Sequence, residues 1–278
     1  MRRFDLKFGP DFLAQVPSAP GVYRFLDADG VVIYVGKAKD LKRRLSQYRN
    51  APRGRRGKKP RAVVKGAVSL TYEVLPTDLD ASLEEVRLIQ TLRPRHNVAS
   101  AFEFLYPFIG MREIGRPEST LCELHLVLTS RPELYPEFDH FGVFRSRETV
   151  ALAFFGLVRL MRHIAHQEPR SRVRAESARD NHSAVLALRR VPRELVGSCR
   201  ALLRGVKLDL ASELAFRLLD KASARAKPKE IQEDLDALRV FFEQEAAPLR
   251  RVVEATGYGE WPVPQKERDA LFLRARGM

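Results

Sequence analysis

Cysteine and tryptophan are scarce in this chain of 278 residues, which has two of the first and one of the second. Cys122 and Cys199 stand far apart, so they make neither a disulfide framework nor a cysteine zinc site. Both are expected to be buried thiols. Long apolar runs are also missing. The longest, Val150 to Val158, is nine residues, against the roughly 20 that a membrane-spanning helix needs. Met1-Arg2-Arg3 is followed by no apolar stretch of the kind a secretory signal carries, so the expected location is the cytoplasm. There is no internal repeat.

The scarcity of most consequence is of acid, and it is local. The net charge is +14, yet residues 37–65 alone hold thirteen Lys and Arg against one acid, Asp40. Nearly all the excess charge thus sits on about a tenth of the sequence. Solubility does not require such clustering; a surface that binds phosphates does.

Around this basic stretch the sequence alternates between strand and helix patterns. Asp11 to Val16 reads as a short helix, with Phe12 and Val16 four apart on the face that docks. Val22 to Leu26 and Val31 to Val35 are β-branched and aromatic runs separated by Asp27-Ala28-Asp29-Gly30, which predicts a β-hairpin. A loop at Ala28-Asp29 sets Tyr23 opposite Tyr34, and a loop at Asp29-Gly30 shifts the pairing by two. Both keep the two rings on one face, whereas an odd-length loop with a bulge could spoil this. Gly36 ends the second strand. Lys39 to Tyr48 reads as a helix with Leu41 and Leu45 inward and Arg44 and Tyr48 sharing a face. Arg49 to Lys65, with eight basic residues, two prolines and two glycines, reads as a loop suited to following a nucleic-acid backbone. Leu70 to Leu75 is a third strand.

Thr77 and Asp80 resemble a capping box that opens a helix running to about Leu92, before Pro94. On a helical projection Glu85 falls within about 40° of the mean direction of the apolar side chains, and Glu84 about 135° away. Glu84 is therefore expected to be a surface acid and Glu85 an inward one. An inward carboxylate is costly unless it is paired or binds a metal, and spacing alone leaves those two alternatives equal.

Beyond residue 100 the strand-like stretches are Tyr106 to Ile109, Glu123 to Leu128 and Phe141 to Phe144. Thr149 to Ala165 reads as a helix. His163 and His166 are three apart on its face, but no third ligand accompanies them, so they read as a helix-end pair. Gln167 to His182 reads as a loop. Helices follow at about 192–203, 207–226, 228–247 and 265–275, the middle two joined at Lys227-Pro228-Lys229 as a helical hairpin.

Pro20-Gly21-Val22-Tyr23, then Ile33-Tyr34-Val35-Gly36-Lys37, then Arg44 and Tyr48, then the Glu85 helix and Pro94-Arg95-His96-Asn97 resemble the GIY-YIG endonuclease family. The likeness is to the form found in the N-terminal half of UvrC and in Cho-like excision-repair endonucleases. It covers about residues 18–97, with His96 where the family usually has tyrosine. It implies an α+β chain. Residues 1–100 would form a small GIY-YIG α/β domain, a short antiparallel-containing central sheet flanked by helices. Residues 101–278 would form a mixed, mostly helical accessory region, with a possible boundary near 167–190.

The resemblance also implies roles. Glu85 would hold one divalent ion, Mg²⁺ or Mn²⁺. Tyr34 would be the general base, with Tyr23 beside it, and Lys37, Arg44 and the metal would favour its phenolate. Arg44 would also neutralise transition-state charge, and Asn97 would fix Glu85 or the geometry around it. Lys39, Lys42, Arg43, Tyr48, Arg53, Arg55, Arg56, Lys58, Lys59 and Arg61 would contact DNA. The expected substrate is damaged double-stranded DNA, cut once on the 3′ side of a lesion to leave 5′-phosphate and 3′-hydroxyl. The expected partner is UvrB, and no membrane is involved. Two alternatives remain at this point: a structure-specific or invasive nuclease that works without UvrB, and a non-catalytic DNA-binding protein that kept the fold.

Overall fold

The computed structural model describes residues 2–52, 54, 57–97, 106–167, 179–180 and 183–277. The chain divides into two compact units, Met1–Phe104 with Asp269–Met278, and Leu105–Arg268.

The first unit is built on a three-stranded antiparallel sheet of β1 (Gly21–Leu26), β2 (Val32–Ala38) and β3 (Ser69–Val74), in the order β2-β1-β3. The period-2 alternation of strand side chains gives it two distinct faces. One carries Tyr23, Phe25, Tyr34 and Ala38, covered by α1 (Arg3–Phe8), α2 (Phe12–Gln15), α3 (Leu41–Arg49) and α4 (Lys58–Gly66). The other carries Val22 and Val35 under Leu88 and Ile89 of α5 (Asp78–Leu92).

Hairpin register follows the second of the two expected pairings: Tyr23 lies opposite Gly36 and Phe25 opposite Tyr34. The bulge falls after Phe25, at the turn end, and leaves the tyrosine register intact. Both rings share a face, with centroids 6.2 Å apart.

Several boundaries differ from the sequence reading. A helix over Arg3–Phe8 precedes the expected one, because Phe4 and Phe8 stack on Phe12 and Phe25. Helix α3 starts at Leu41 rather than Lys39, since Asp40 is extended and its carboxylate accepts from the Arg43 amide at 2.8 Å. The stretch read as a loop to Lys65 contains α4. Val63 and Val64 are buried there, and Pro60 sits in the first turn, where proline is tolerated. Helix α5 begins with the expected capping box of Thr77 and Asp80.

In the second unit, β4 (Phe108–Ile114), β5 (Leu121–Thr129), β6 (Asp139–Phe141), β7 (His166–Gln167) and β8 (Ala184–Pro192) form an antiparallel sheet in the order β6-β4-β5-β8-β7. The sequence reading left 183–191 unassigned. It is the strand that pairs with β5 from Leu121 to Leu128. The expected helices appear at Arg147–Arg162, Arg193–Leu203, Asp209–Leu219 and Pro228–Phe241, the last continuing through a π turn into Ala247–Thr256. Buried Glu245 in that π turn accepts from the amides of Arg145 and Ser146, 2.6 and 2.9 Å away, just ahead of the Arg147–Arg162 helix. Asp234 pairs with Arg159 on the same helix, at 3.0–3.1 Å from Nε. His163 ends that helix and bonds Ser223 at 2.8 Å. Among the described residues, no helix is long and apolar enough to cross a membrane.

Gly36 is a position where the hairpin tolerates no side chain. A Cβ there would meet the Tyr23 hydroxyl at 2.4 Å and its Cζ at 2.5 Å. Tyr23 cannot retreat, because Phe25, Tyr34 and Tyr48 pack around its ring. Gly36→Ala should therefore destabilise the protein by about 1–3 kcal/mol, the range for overpacking a core. A melting curve matching wild type would contradict this packing.

Candidate active site

Strand β2 is the outer strand of its sheet, so its outward amides and carbonyls need partners from elsewhere. Three alternate residues obtain them from three sources. The Ile33 carbonyl accepts from the His96 amide at 2.9 Å. The Val35 amide and carbonyl are both held by the Asn97 side chain, at 2.9 and 2.8 Å. The Lys37 amide donates to Glu85 Oε1 at 3.2 Å. The turn after α5 and the middle of α5 are thereby laid along one strand edge, and Glu85 is the last contact in the row. Asn97, expected to fix Glu85 or the geometry around it, secures the strand that carries Glu85's donor.

Glu85 lies on the inward stripe of α5 with Ala81, Leu88 and Ile89. Burial raises its pKa above the ordinary carboxylate value. The Lys37 amide, the Lys37 charge and Arg44 pull the other way, and Asp78 adds to the rise. No salt bridge reaches Glu85 among the described residues. Glu84 is not the free surface acid expected: it pairs with Arg87 at 2.6 Å and lies 3.9 Å from Arg24, and Arg87 is the main cause of its lowered pKa.

On the opposite face of the sheet, Tyr23, Tyr34 and Tyr48 form a cluster with centroids 5.7–6.2 Å apart. The Tyr23 and Tyr48 hydroxyls are 3.2 Å apart, and Arg44 Nε donates to the Tyr23 oxygen at 3.1 Å. The Arg44 guanidinium also lies over the Tyr48 ring. Burial pushes the Tyr23 hydroxyl up to about 12, helped by Tyr34, and burial likewise raises Tyr48. These two phenols stay protonated at neutral pH. Tyr48, expected on the DNA surface, is buried in this cluster instead.

The remaining predicted residues divide in three. Lys37 points to the α5 side, where its Nζ meets Asp78 at 3.1 Å; Lys39 is 3.8 Å from the same carboxylate. Asp78 was not singled out by sequence, where it looked like an ordinary acid in a first helical turn. Lys42, Arg43 and Lys58 are exposed. Arg61 is turned onto the carbonyls of Pro52 and Gly54 rather than outward, and Lys59 lies over Tyr34 with Nζ 5.3 Å from the ring centre. Arg53, Arg55 and Arg56 lie outside the described residues.

Among the described residues, no three His, Cys, Asp or Glu side chains gather at a metal-ligand spacing. A single half-buried carboxylate with one oxygen already fixed still fits a hard cation that keeps most of its water, as Mg²⁺ and Mn²⁺ do.

The raised Glu85 pKa has a signed consequence for stability. Its folded value lies above the unfolded one, so burying the ionised carboxylate costs stability. That cost grows as pH rises from the ordinary carboxylate range through the folded value. In metal-free buffer, Glu85→Gln should melt higher than wild type near pH 7.5, with the gap closing on acidification to about pH 4. A gap that is absent, or that widens in acid, would contradict the assigned burial.

Residues 19–98 match the family of UvrC-like GIY-YIG domains. The chain is similar to the UvrABC system protein C of Proteus mirabilis, 39% identical over 145 residues, which is 51% of this chain and 22% of that protein. Its likeness to the UvrABC system protein C of Flavobacterium psychrophilum is 36% over 137 residues, 49% of this chain and 21% of that one. The chain thus spans about a fifth of the length of these relatives. Among solved structures it is similar to the magnesium-bound GIY-YIG N-terminal endonuclease domain of UvrC from Thermotoga maritima. The identity is 36%, covering 31% of this chain and 90% of that one, with a TM-score of 0.28. Residues 19–98 thus carry a UvrC-like GIY-YIG domain.

Proposed function

We propose that this chain is a metal-dependent DNA endonuclease that hydrolyses one phosphodiester, on the 3′ side of a lesion, in nucleotide excision repair with UvrB. The observation that carries the reading is the pairing of two groups. A half-buried carboxylate, Glu85, lacks a cationic side-chain partner among the described residues, and a tyrosine cluster holds the Arg44 guanidinium. A binding module gains nothing from an inward acid beside its phosphate site, where it repels the ligand.

Glu85 would hold the Mg²⁺ or Mn²⁺ ion, which when bound supplies Lewis-acid stabilisation of a phosphate oxygen. Tyr34, acting as the phenolate, would take the proton of the attacking water at its oxygen and so become the neutral phenol. Tyr23 orients that site: its hydroxyl is held by Arg44 and Tyr48 and stays protonated. Arg44 offsets the charge that builds on the phosphate in the transition state. Lys37 lends its amide to Glu85 and its ammonium to Asp78. Asn97 keeps β2 in place. Lys39, Lys42, Arg43 and Lys58 contact the DNA backbone. Choice of lesion comes from the UvrB partner.

The test is a single-turnover nicking assay on a lesion-bearing duplex with Mg²⁺, with and without UvrB. Wild type should nick only with metal and with UvrB. Glu85→Ala should abolish nicking while DNA binding persists. Tyr34→Phe should slow it on the order of 10²–10⁴-fold, and Tyr23→Phe less. Nicking without UvrB would favour a structure-specific nuclease, and full activity in Glu85→Ala would sink the metal assignment.

A further inference from the structure

We propose that Lys59 belongs to the reactive centre, where its ammonium contacts a non-bridging oxygen of the scissile phosphodiester beside Tyr34. This deepens the nuclease reading above and rests on it. In the sequence Lys59 is one of eight cations between Arg49 and Lys65, with nothing to separate it from its neighbours.

The fold separates it. Lys59 lies in the first turn of α4, four residues before buried Val63 and on the same side of the helix, with its side chain exposed. Val63 and Val64 are buried and fix the helix in place. Gly57, at the start of α4, lies close against Pro52, since a Cβ there would meet the Pro52 carbonyl at 1.9 Å. The result is an ammonium 5.3 Å from the centre of the Tyr34 ring. Its charge also reaches His96, whose pKa is lowered by burial first and then by Arg95 and Lys59. Lys59 therefore stands where α4, β2 and the 95–97 turn converge.

Four cations near the site are committed elsewhere, and Lys42, Arg43 and Lys58 are exposed. Lys37 and Lys39 share Asp78, Arg44 is bound to Tyr23 and Gln47, and Arg61 holds the Pro52 carbonyl. Lys59 has no carboxylate partner among the described residues. An aromatic face attracts a cation without occupying its three N–H donors, which are left for an anion arriving at Tyr34. The anion that arrives there in this reaction is the phosphodiester, and a cation preset at that point acts on charge developing in the transition state.

The experiment compares wild type, Lys59→Met and Lys59→Arg in Mg²⁺. It measures DNA affinity across salt, melting temperature, and the single-turnover nicking rate at saturating DNA. Lys59→Met should lose on the order of 10²-fold in the saturating rate, with affinity within about threefold of wild type. Lys59→Arg, which keeps the charge, should recover most of that rate. A cation that merely follows the backbone would behave oppositely, with the salt slope falling by about one unit and the saturating rate unchanged. That outcome in an active wild-type background overturns this inference alone. A wild-type protein that does not nick overturns the nuclease reading and this inference together.

Discussion

An edge strand has to satisfy its outward hydrogen-bonding groups, and in this protein the way β2 does so determines where the site is. Leaving a buried amide or carbonyl without a partner costs about 1–3 kcal/mol. The Ile33 carbonyl, both Val35 groups and the Lys37 amide are met in turn by His96, Asn97 and Glu85. One end of the row is anchored by a turn and the other by a carboxylate. The same contacts that close the sheet edge therefore hold Glu85 at the end of the strand, without any charged side chain being used up on it.

The sheet then divides the chemistry between its faces. Tyrosines 23 and 34 project toward α3 and α4, whereas Lys37 faces α5 and its Asp78. The two sets communicate through charge around the end of β2: Arg44, bonded to Tyr23, is among the groups that lower the pKa of Glu85. Gly36 makes the arrangement possible, because only a residue without a side chain lets the Tyr23 ring lie flat across the hairpin. A glycine that looks like a strand terminator in the sequence is in fact the floor beneath the Tyr23 hydroxyl.

Much of the site was legible because it rests on periodicity. The inward direction of Glu85 follows from helical spacing, and the shared face of the tyrosines follows from strand alternation. What escaped was tertiary. Helix α4 was read as a loop because its charge and proline content mask the two buried valines that hold it. Tyr48 was placed on the DNA surface because its spacing from Arg44 says which face it shares, but not that the face is covered. Glu84 reads as a surface acid from spacing, which does not show Arg24 reaching it from a different element beside its same-helix partner Arg87. That Asn97 acts through Val35, a pairing 62 residues apart in sequence, is likewise invisible to periodicity. Strand β8 went unassigned since its neighbours are β5 and β7, and neither is close to it in pattern.

The edge-strand account is tested most directly by amide hydrogen exchange at Val35 and Lys37 in wild type and Asn97→Ala. If Asn97 secures the strand on which Glu85 depends, losing its two bonds should speed exchange at both amides by on the order of tenfold or more. The Lys37 amide should respond although Asn97 never touches it. Faster exchange at Val35 alone, with Lys37 as protected as in wild type, would mean that Glu85 is positioned by α5 without help from the strand edge, and would contradict the account.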